Sequence, residues 1–148
     1  MSVAEKLASM KSQQAAENLK AGEAFLAENK KRPEVVALPS GLQYEILEAG
    51  TGPSPKNFHN VTCHYHGTLI DGTVFDSSVD RGEPISFPVD GVIPGWTEAL
   101  QLMKEGDKWK IFIPSNLAYG EHGAGEKIAP NSTLVFEVEL LSIEGAAK

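Results

Sequence analysis

The chain has 148 residues, 41% of them hydrophobic and 22% charged, which is about the length and composition of one globular domain. Thirteen basic and twenty acidic residues give a net charge of −7, so the surface repels nucleic-acid phosphates and we expect no nucleic-acid partner. One cysteine excludes an internal disulfide and any site built from several cysteines.

Hydropathy predicts no membrane span, because no run of about 18 apolar residues is present. The N-terminal segment also lacks the continuous apolar stretch that follows a basic start in a signal peptide. We therefore expect a cytoplasmic protein as the chain is given, and a periplasmic or outer-membrane-associated one if a leader has been removed.

The first 32 residues predict a long helix over 3–31, because they contain no proline and a single glycine, Gly22. Ser2 and Glu5 have the spacing of a capping box, and Pro33 disfavours helix at the residue before it. Such a helix packs on its own domain, or acts as an arm that meets a second copy or a client chain. We expect a drifting apolar stripe to place Leu19, Phe25 and Leu26 near the domain and to leave Val3, Leu7 and Met10 free.

Residues 33–40 resemble an extended linker, and after Gly41 the hydrophobic period changes from helical to two. We therefore divide the chain into a helical arm with its linker, residues 1–38, and a second domain, residues 39–148.

Alternating apolar and polar residues predict several strands in the second domain. Asp71-Gly72 indicates a hairpin, and Pro88 marks an edge strand or bulge. Trp96, Ala99, Leu100 and Met103 have the spacing of one short amphipathic helix. The order of these elements shows no alternation of strands and helices, so we predict an α+β fold with an antiparallel sheet wrapped on one short helix.

The sequence Cys63-His64-Tyr65-His66 is the most conspicuous candidate for metal chemistry. His64 and His66 share one face of a strand, but Cys63 points to the other face, so the three cannot meet on a straight strand. We interpret them as two solvent-facing histidines and a core cysteine, with a metal carrier using His59, His64 and His66 as the open alternative. No nucleophile elbow, phosphate loop or dinucleotide fingerprint is present.

Five short blocks of the second domain follow one another in a characteristic order: Cys63–Gly67, Asp71–Ser78, Val92–Trp96, Leu117–Gly120 and Thr133–Leu141. Taken in this order, they resemble the FKBP-type peptidyl-prolyl cis–trans isomerases over residues 40–143. The helix and the sequence that follows it resemble the bacterial Mip (macrophage infectivity potentiator) branch of that family.

This resemblance implies an antiparallel half-barrel around the Trp96 helix and a hydrophobic proline pocket with no cofactor or metal. Trp96 would form its floor, Ile93 N–H and Tyr119 O–H would donate hydrogen bonds to carbonyl groups, and Asp76 would face the amide. Arg81 would orient Asp76, and Ile128 would close the loop side of the pocket. Ile85 occupies a position where a phenylalanine is common. The walls of the pocket would be Tyr65, Phe75, Phe87, Val92, Ile93 and Phe136.

The expected activity is cis–trans isomerisation of Xaa–Pro bonds in proline-containing polypeptides. The resemblance also implies binding of tacrolimus and rapamycin, which Ile85 and Ala124 would weaken because both depart from the usual pattern. The alternative is a folding chaperone or binding module that uses the same pocket without significant catalysis. A weak homodimer through the N-terminal helix is a further expectation.

Overall fold

The structure, a computed structural model, describes residues 2–124 and 127–144, without the side chains of residues 7–12. The described residues form one antiparallel sheet, in the order β1-β2-β6-β7-β3-β4 with β5 added to β3, together with three helices. The α+β fold predicted from the pattern is confirmed. The helices are α1 (Val3–Asn29), α2 (Ser78–Arg81) and α3 (Pro94–Leu102), and the strands are β1 (Val35–Ala37), β2 (Gln43–Glu48), β3 (Asn60–Leu69), β4 (Val74–Ser77), β5 (Ile85–Pro88), β6 (Lys108–Ile113) and β7 (Leu134–Glu144).

The main core lies between α3 and one face of the sheet. Trp96, Ala99, Leu100 and Met103 are buried at the predicted spacing of three and four residues. They pack with the alternate residues of β3, β6 and β7, whose side chains point to the same face because a strand has a period of two. Gly95 permits this approach, since a Cβ there would lie 2.6 Å from Ile113 Cγ2.

The opposite face of the sheet is covered by α1. Phe25 and Leu26 pack against a second cluster formed by Val35, Phe112 and Val135. Full burial of a side chain such as Phe112 contributes about 1.5–3 kcal/mol relative to leaving it in water. As predicted, the sheet packs on the short helix α3, and the long N-terminal helix covers its other face.

The N-terminal helix begins at the predicted capping box, where Ser2 Oγ accepts from Glu5 N at 3.1 Å. It ends at Asn29, two residues before the predicted end. Phe25 and Leu26 lie against the domain as expected, whereas Leu19 is half-exposed and Val3 is 77% exposed. The side chains of Leu7 and Met10 fall outside the described part of the chain.

A second set of contacts joins α1 to the segment 130–133. Asn18 Nδ2 donates to Pro130 O at 2.9 Å, and Asn131 Nδ2 donates to Ala15 O at 3.2 Å. Asn131 adopts a left-handed backbone with φ of 58°. Gly22 comes so close to Thr133 that a Cβ would lie 2.2 Å from its Oγ1. The close approach of α1 to Thr133 therefore requires that position 22 carry no side chain.

The segment predicted to be a linker belongs partly to the sheet. β1 pairs with β2 in the register Val35↔Glu45 to Ala37↔Gln43, so residues 35–37 form an edge strand. The division at residue 38 stays a prediction, although β1 lies before that boundary and its partner strand after it.

The alternation predicted after Gly41 places Ile46 on the buried face of β2 and Gln43 on its exposed face, and this is wrong in detail. Gln43 is only 4% exposed, whereas Ile46 is 52% exposed. Gln43 Oε1 accepts from Asn29 Nδ2 at 2.9 Å, and Gln43 Nε2 donates to Leu26 O at 3.0 Å. The polar face of the strand is buried because the end of α1 covers it.

Among the described residues, no helix combines the length and the apolarity needed to cross a membrane.

Candidate functional site

A pocket of about 880 Å³ opens between the N-terminus of α3, the ends of β3, β4 and β5, and the loop that follows Tyr119. Its walls are mostly aromatic and aliphatic, with one carboxylate and one amine at the edge. The lining residues are Tyr65, Phe75, Asp76, Ile85, Phe87, Gly91, Val92, Ile93, Trp96, Tyr119, Ala124, Lys127, Ile128 and Phe136.

Trp96 is the centre of the aromatic walls. Its ring meets those of Tyr65, Phe87 and Phe136 with centroid distances of 5.4, 5.4 and 5.1 Å and interplanar angles of 80°, 61° and 89°. Edge-to-face packing of this kind holds each ring in a defined orientation. The buried indole N–H of Trp96 has no hydrogen-bond partner among the described residues. The floor of the pocket is therefore rigid and apolar.

Gly67 makes room for this arrangement from the middle of β3. A Cβ at this position would lie 2.7 Å from Phe136 Cε1 and 2.7 Å from Phe75 Cζ. Its absence lets Phe75 and Phe136 pack edge to face, with centroids 5.3 Å apart. A glycine in a strand can indicate such a close approach, and this was the sequence signal available for it.

A hydrogen-bonded group of three side chains forms the polar edge of the pocket. Tyr65 Oη donates to Asp76 Oδ2 at 2.6 Å, and Arg81 Nη2 donates to Tyr65 Oη at 2.9 Å. Arg81 Nη1 also donates to Asp76 Oδ1. Asp76 and Arg81 are both about half-exposed, so solvent screens the ion pair and it stabilises the fold little by itself.

The ionisation of this group follows from its contacts. Burial acts to raise the pKa of Asp76, but hydrogen bonds from Tyr65 and Arg81 outweigh it and leave the pKa below its ordinary value. Burial, and then the hydrogen bond to Asp76, raise the pKa of Tyr65. At neutral pH the carboxylate is charged and the phenol is protonated.

Two further hydrogen-bond donors lie at the pocket. Ile93 is the N-cap residue of α3, and Pro94 occupies the first helical position. The first N–H groups of a helix have no hydrogen-bond acceptor within the helix, and Ile93 N–H is one of them. Tyr119 is 41% exposed at the other side of the opening.

All the site residues proposed from sequence line this pocket except Arg81, which stands beside the rim and reaches the pocket through Tyr65 and Asp76. Sequence reasoning missed Gly91 and Lys127, and treated Ala124 only as a departure from the usual pattern. No periodic signal marks Gly91 or Lys127, because Gly91 ends a 3-10 helix of three residues and Lys127 lies in a turn, and both segments are too short to show a hydrophobic period.

The two histidines of β3 each contact a serine hydroxyl. His64 Nδ1 lies 2.9 Å from Ser78 Oγ, and His66 Nδ1 lies 2.9 Å from Ser77 Oγ. Cys63 is buried on the opposite face, and burial raises its pKa to about 12. Within residues 2–124 and 127–144, no three ligand-type side chains come together as a metal site would require. The predicted solvent-facing histidines are thus half-buried and hydrogen-bonded.

Comparison with protein families gives two matches. The family model described as FKBP-type peptidyl-prolyl cis-trans isomerase matches residues 52–141. A second family model, described as the domain amino terminal to FKBP-type peptidyl-prolyl isomerase, matches residues 1–46. The two matches cover the sheet with its pocket and the helix that precedes it.

Individual relatives agree with these matches. The chain is 55% identical over 133 residues to the outer membrane protein MIP of Legionella longbeachae, covering 90% of this chain and 57% of that protein. It is 59% identical over 133 residues to the FKBP-type peptidyl-prolyl cis-trans isomerase FkpA of Aeromonas hydrophila, covering 90% of this chain and 49% of that protein. The crystal structure of FkpA from Escherichia coli superposes with a TM-score of 0.88 at 48% identity, covering 91% of this chain and 63% of that one. The chain thus spans about half the length of the curated relatives it matches.

Proposed function

This chain belongs to the FKBP-type peptidyl-prolyl cis–trans isomerase family, and on that premise we propose that it catalyses rotation about Xaa–Pro bonds in polypeptides. The observation that carries the proposal is the rigid aromatic pocket around Trp96, bordered by Asp76, Ile93 N–H and Tyr119. An uncatalysed Xaa–Pro bond isomerises in tens to hundreds of seconds, which is slow enough to limit folding.

Desolvation accounts for the main part of the proposed mechanism. The planar amide is the more polar form because resonance separates charge between its oxygen and nitrogen, and rotation through about 90° removes that resonance. An apolar pocket withdraws water from the planar form at a greater cost than from the twisted form. The pocket therefore binds the transition state better than the ground state, and no bond is made or broken.

Hydrogen bonds at the rim would orient the substrate. Ile93 N–H and Tyr119 O–H donate to carbonyl groups of the chain that flanks the proline, and Asp76 faces the amide from the other side. Each tenfold acceleration requires about 1.4 kcal/mol of transition-state stabilisation. One well-placed hydrogen bond together with desolvation can supply several such steps.

A protease-coupled assay on short Xaa-Pro peptides tests the activity. We expect acceleration, with preference for an apolar residue before proline, because the walls of the pocket are apolar. A rate equal to that in buffer would contradict catalysis. A pocket that still bound the peptide would then favour the alternative, a folding chaperone or binding module.

We also propose that tacrolimus and rapamycin occupy this pocket and inhibit the reaction. Ile85 lies half-exposed at the rim and Ala124 lies in the loop wall, so a smaller contact area is expected there and binding should survive in weaker form. Titration calorimetry measures this directly. The absence of both heat and competition with the peptide would contradict the assignment of the pocket.

The N-terminal arm is proposed to meet another chain, either a second copy in a weak homodimer or a client polypeptide. Val3 is largely exposed, and among the described side chains the contacts of α1 with the sheet and with the segment 130–133 begin at Ala15. Sedimentation across a range of protein concentrations distinguishes a dimer from a monomer.

The name of the Legionella longbeachae relative supports a periplasmic or outer-membrane-associated location, which cell fractionation would test.

A further inference from the structure

The outer side of β3 carries a row of side chains that each contact a hydroxyl group. Thr62 Oγ1 lies 2.7 Å from Ser86 Oγ, and Nδ1 of His64 and Nδ1 of His66 each lie 2.9 Å from a serine Oγ. Thr62, His64 and His66 alternate with Cys63 and Tyr65, which face the core. The two histidines differ from Thr62 because their serines belong to the segment that leads from β4 into α2.

The two serines hold that segment in place. Ser77 is the N-cap of α2, and its Oγ accepts from Asp80 N at 3.2 Å. Ser78 is completely buried, and its Oγ accepts from Tyr65 N at 2.7 Å. The side chain of Ser78 thus takes the place of a strand carbonyl for the backbone of Tyr65, at the point where β4 ends.

The short helix depends on these contacts. α2 has only four residues, too few to be stable on its own. Its last residue, Arg81, donates to both Asp76 and Tyr65 at the pocket edge. The ion pair between Arg81 and Asp76 is half-exposed and stabilises little by itself. The position of Arg81 is therefore set mainly by what fixes α2.

We propose that His64 and His66 are positioning residues: through Ser78 and Ser77 they fix α2, so that Arg81 holds Asp76 and Tyr65 in place at the rim of the pocket. This inference rests on the proposed isomerase function. The contacts survive either charge state of the imidazoles, because a serine hydroxyl can both donate and accept.

Substitution of the histidines tests the proposal. We expect His64→Ala and His66→Ala each to lower kcat about threefold to tenfold with little change in KM, because the walls Phe87, Trp96 and Phe136 come from elements other than β3 and α2. His64→Asn and His66→Asn should restore most of kcat, since an asparagine amide lies where Nδ1 lies. His66→Gln should not, because its amide is one bond farther from the backbone. Ser77→Ala removes the contact with His66 and also the N-cap of α2, so it should lower kcat at least as much as His66→Ala.

Thr62→Val is the matched control, because it removes an equivalent hydroxyl contact on the same strand face that does not involve α2. Thr62→Val should leave kcat unchanged, although it should lower the free energy of unfolding by about as much as the histidine-to-alanine substitutions do. Titration of the Asp76 carboxyl by NMR gives a readout independent of activity, and its pKa should rise toward the ordinary value in His66→Ala as Arg81 withdraws.

Three results would overturn the proposal: wild-type kcat and wild-type Asp76 titration in both alanine variants, rescue by phenylalanine but not by asparagine, or an equal loss of kcat in Thr62→Val. An inactive wild-type protein would contradict the proposed function instead, and the Asp76 titration would still decide the role of the histidines.

Discussion

At the level of single residues, the proposed mechanism ranks a wall of the pocket above its charged edge. Phe136 is buried and contacts the rings of Trp96, Phe75 and Tyr65. We expect Phe136→Ala to lower kcat/KM by about 30-fold or more, and Asp76→Asn by about threefold to tenfold, because desolvation is the larger effect. Peptide assays on both variants measure this order.

The comparison needs a correction for stability, because Phe136→Ala removes about 3–5 kcal/mol from the free energy of unfolding. Urea unfolding gives the folded fraction of each variant, and Phe136→Leu fills most of the space as a control. After this correction, a larger loss of kcat/KM in Asp76→Asn than in Phe136→Ala would mean that electrostatics, rather than desolvation, dominates.

The pH dependence of the rate follows from the rim. Asp76 has a lowered pKa and stays ionised, and Tyr65 has a raised pKa and stays protonated. No general acid or base with a pKa near 7 takes part in the mechanism. We therefore expect kcat/KM to be nearly constant from about pH 6 to 9. A bell-shaped profile centred near neutrality would reveal a titrating group in the reaction.

At the level of elements, Gly22 fixes how closely α1 approaches the domain. Alanine normally stabilises a helix interior by about 0.5–1 kcal/mol relative to glycine. Here we expect the opposite sign, a loss of about 1–3 kcal/mol, since the new Cβ would lie 2.2 Å from Thr133 Oγ1.

A double-mutant cycle with Thr133→Ala isolates this clash. The double variant should recover much of the stability lost in Gly22→Ala, because Thr133→Ala removes the hydroxyl that the new methyl group meets. If the changes in the free energy of unfolding caused by Gly22→Ala and Thr133→Ala were additive, α1 would not pack against Thr133 at Gly22.

Element by element, the sequence predicted what depends on local pattern and missed what depends on packing partners. The spacing of Trp96 and Leu100 defines α3 without further information, and the motifs locate the pocket. The burial of Gln43 and Val135 could not be predicted, because both lie on the strand face that alternation assigns to water. That face is buried only because α1 returns across it, and a periodic pattern carries no information about where a distant helix packs.

At the level of the whole molecule, the position of α1 changes how the arm should be tested. If α1 captures client chains, deletion of residues 1–31 should leave activity on a short peptide unchanged and slow the catalysed refolding of a whole protein, because capture raises the local concentration of the slow bond. Such a deletion also removes Phe25 and Leu26, which cover Phe112 and Val135.

Deletion of residues 1–12 is therefore the cleaner experiment. We expect it to leave both peptide activity and stability unchanged while reducing catalysis of a refolding reaction that is limited by proline isomerisation. The longer deletion, in contrast, should also lower stability. Equal refolding catalysis by the full chain and by the shorter deletion would mean that the arm captures no client.

The place of β7 in the sheet has a consequence for biosynthesis. β7 lies between β6 and β3, and without it the sheet falls into two unconnected parts, β1-β2-β6 and β3 with β4 and β5. Because β7 follows the other strands of this sheet in the chain, the two parts of the nascent chain remain separate with apolar faces open until residues 134–144 have been made. The strand also carries Phe136, so the pocket is completed at the same moment. A chain proposed to speed the folding of other proteins therefore acquires both its own sheet and its own pocket only after all the strands from β1 to β6 have been synthesised.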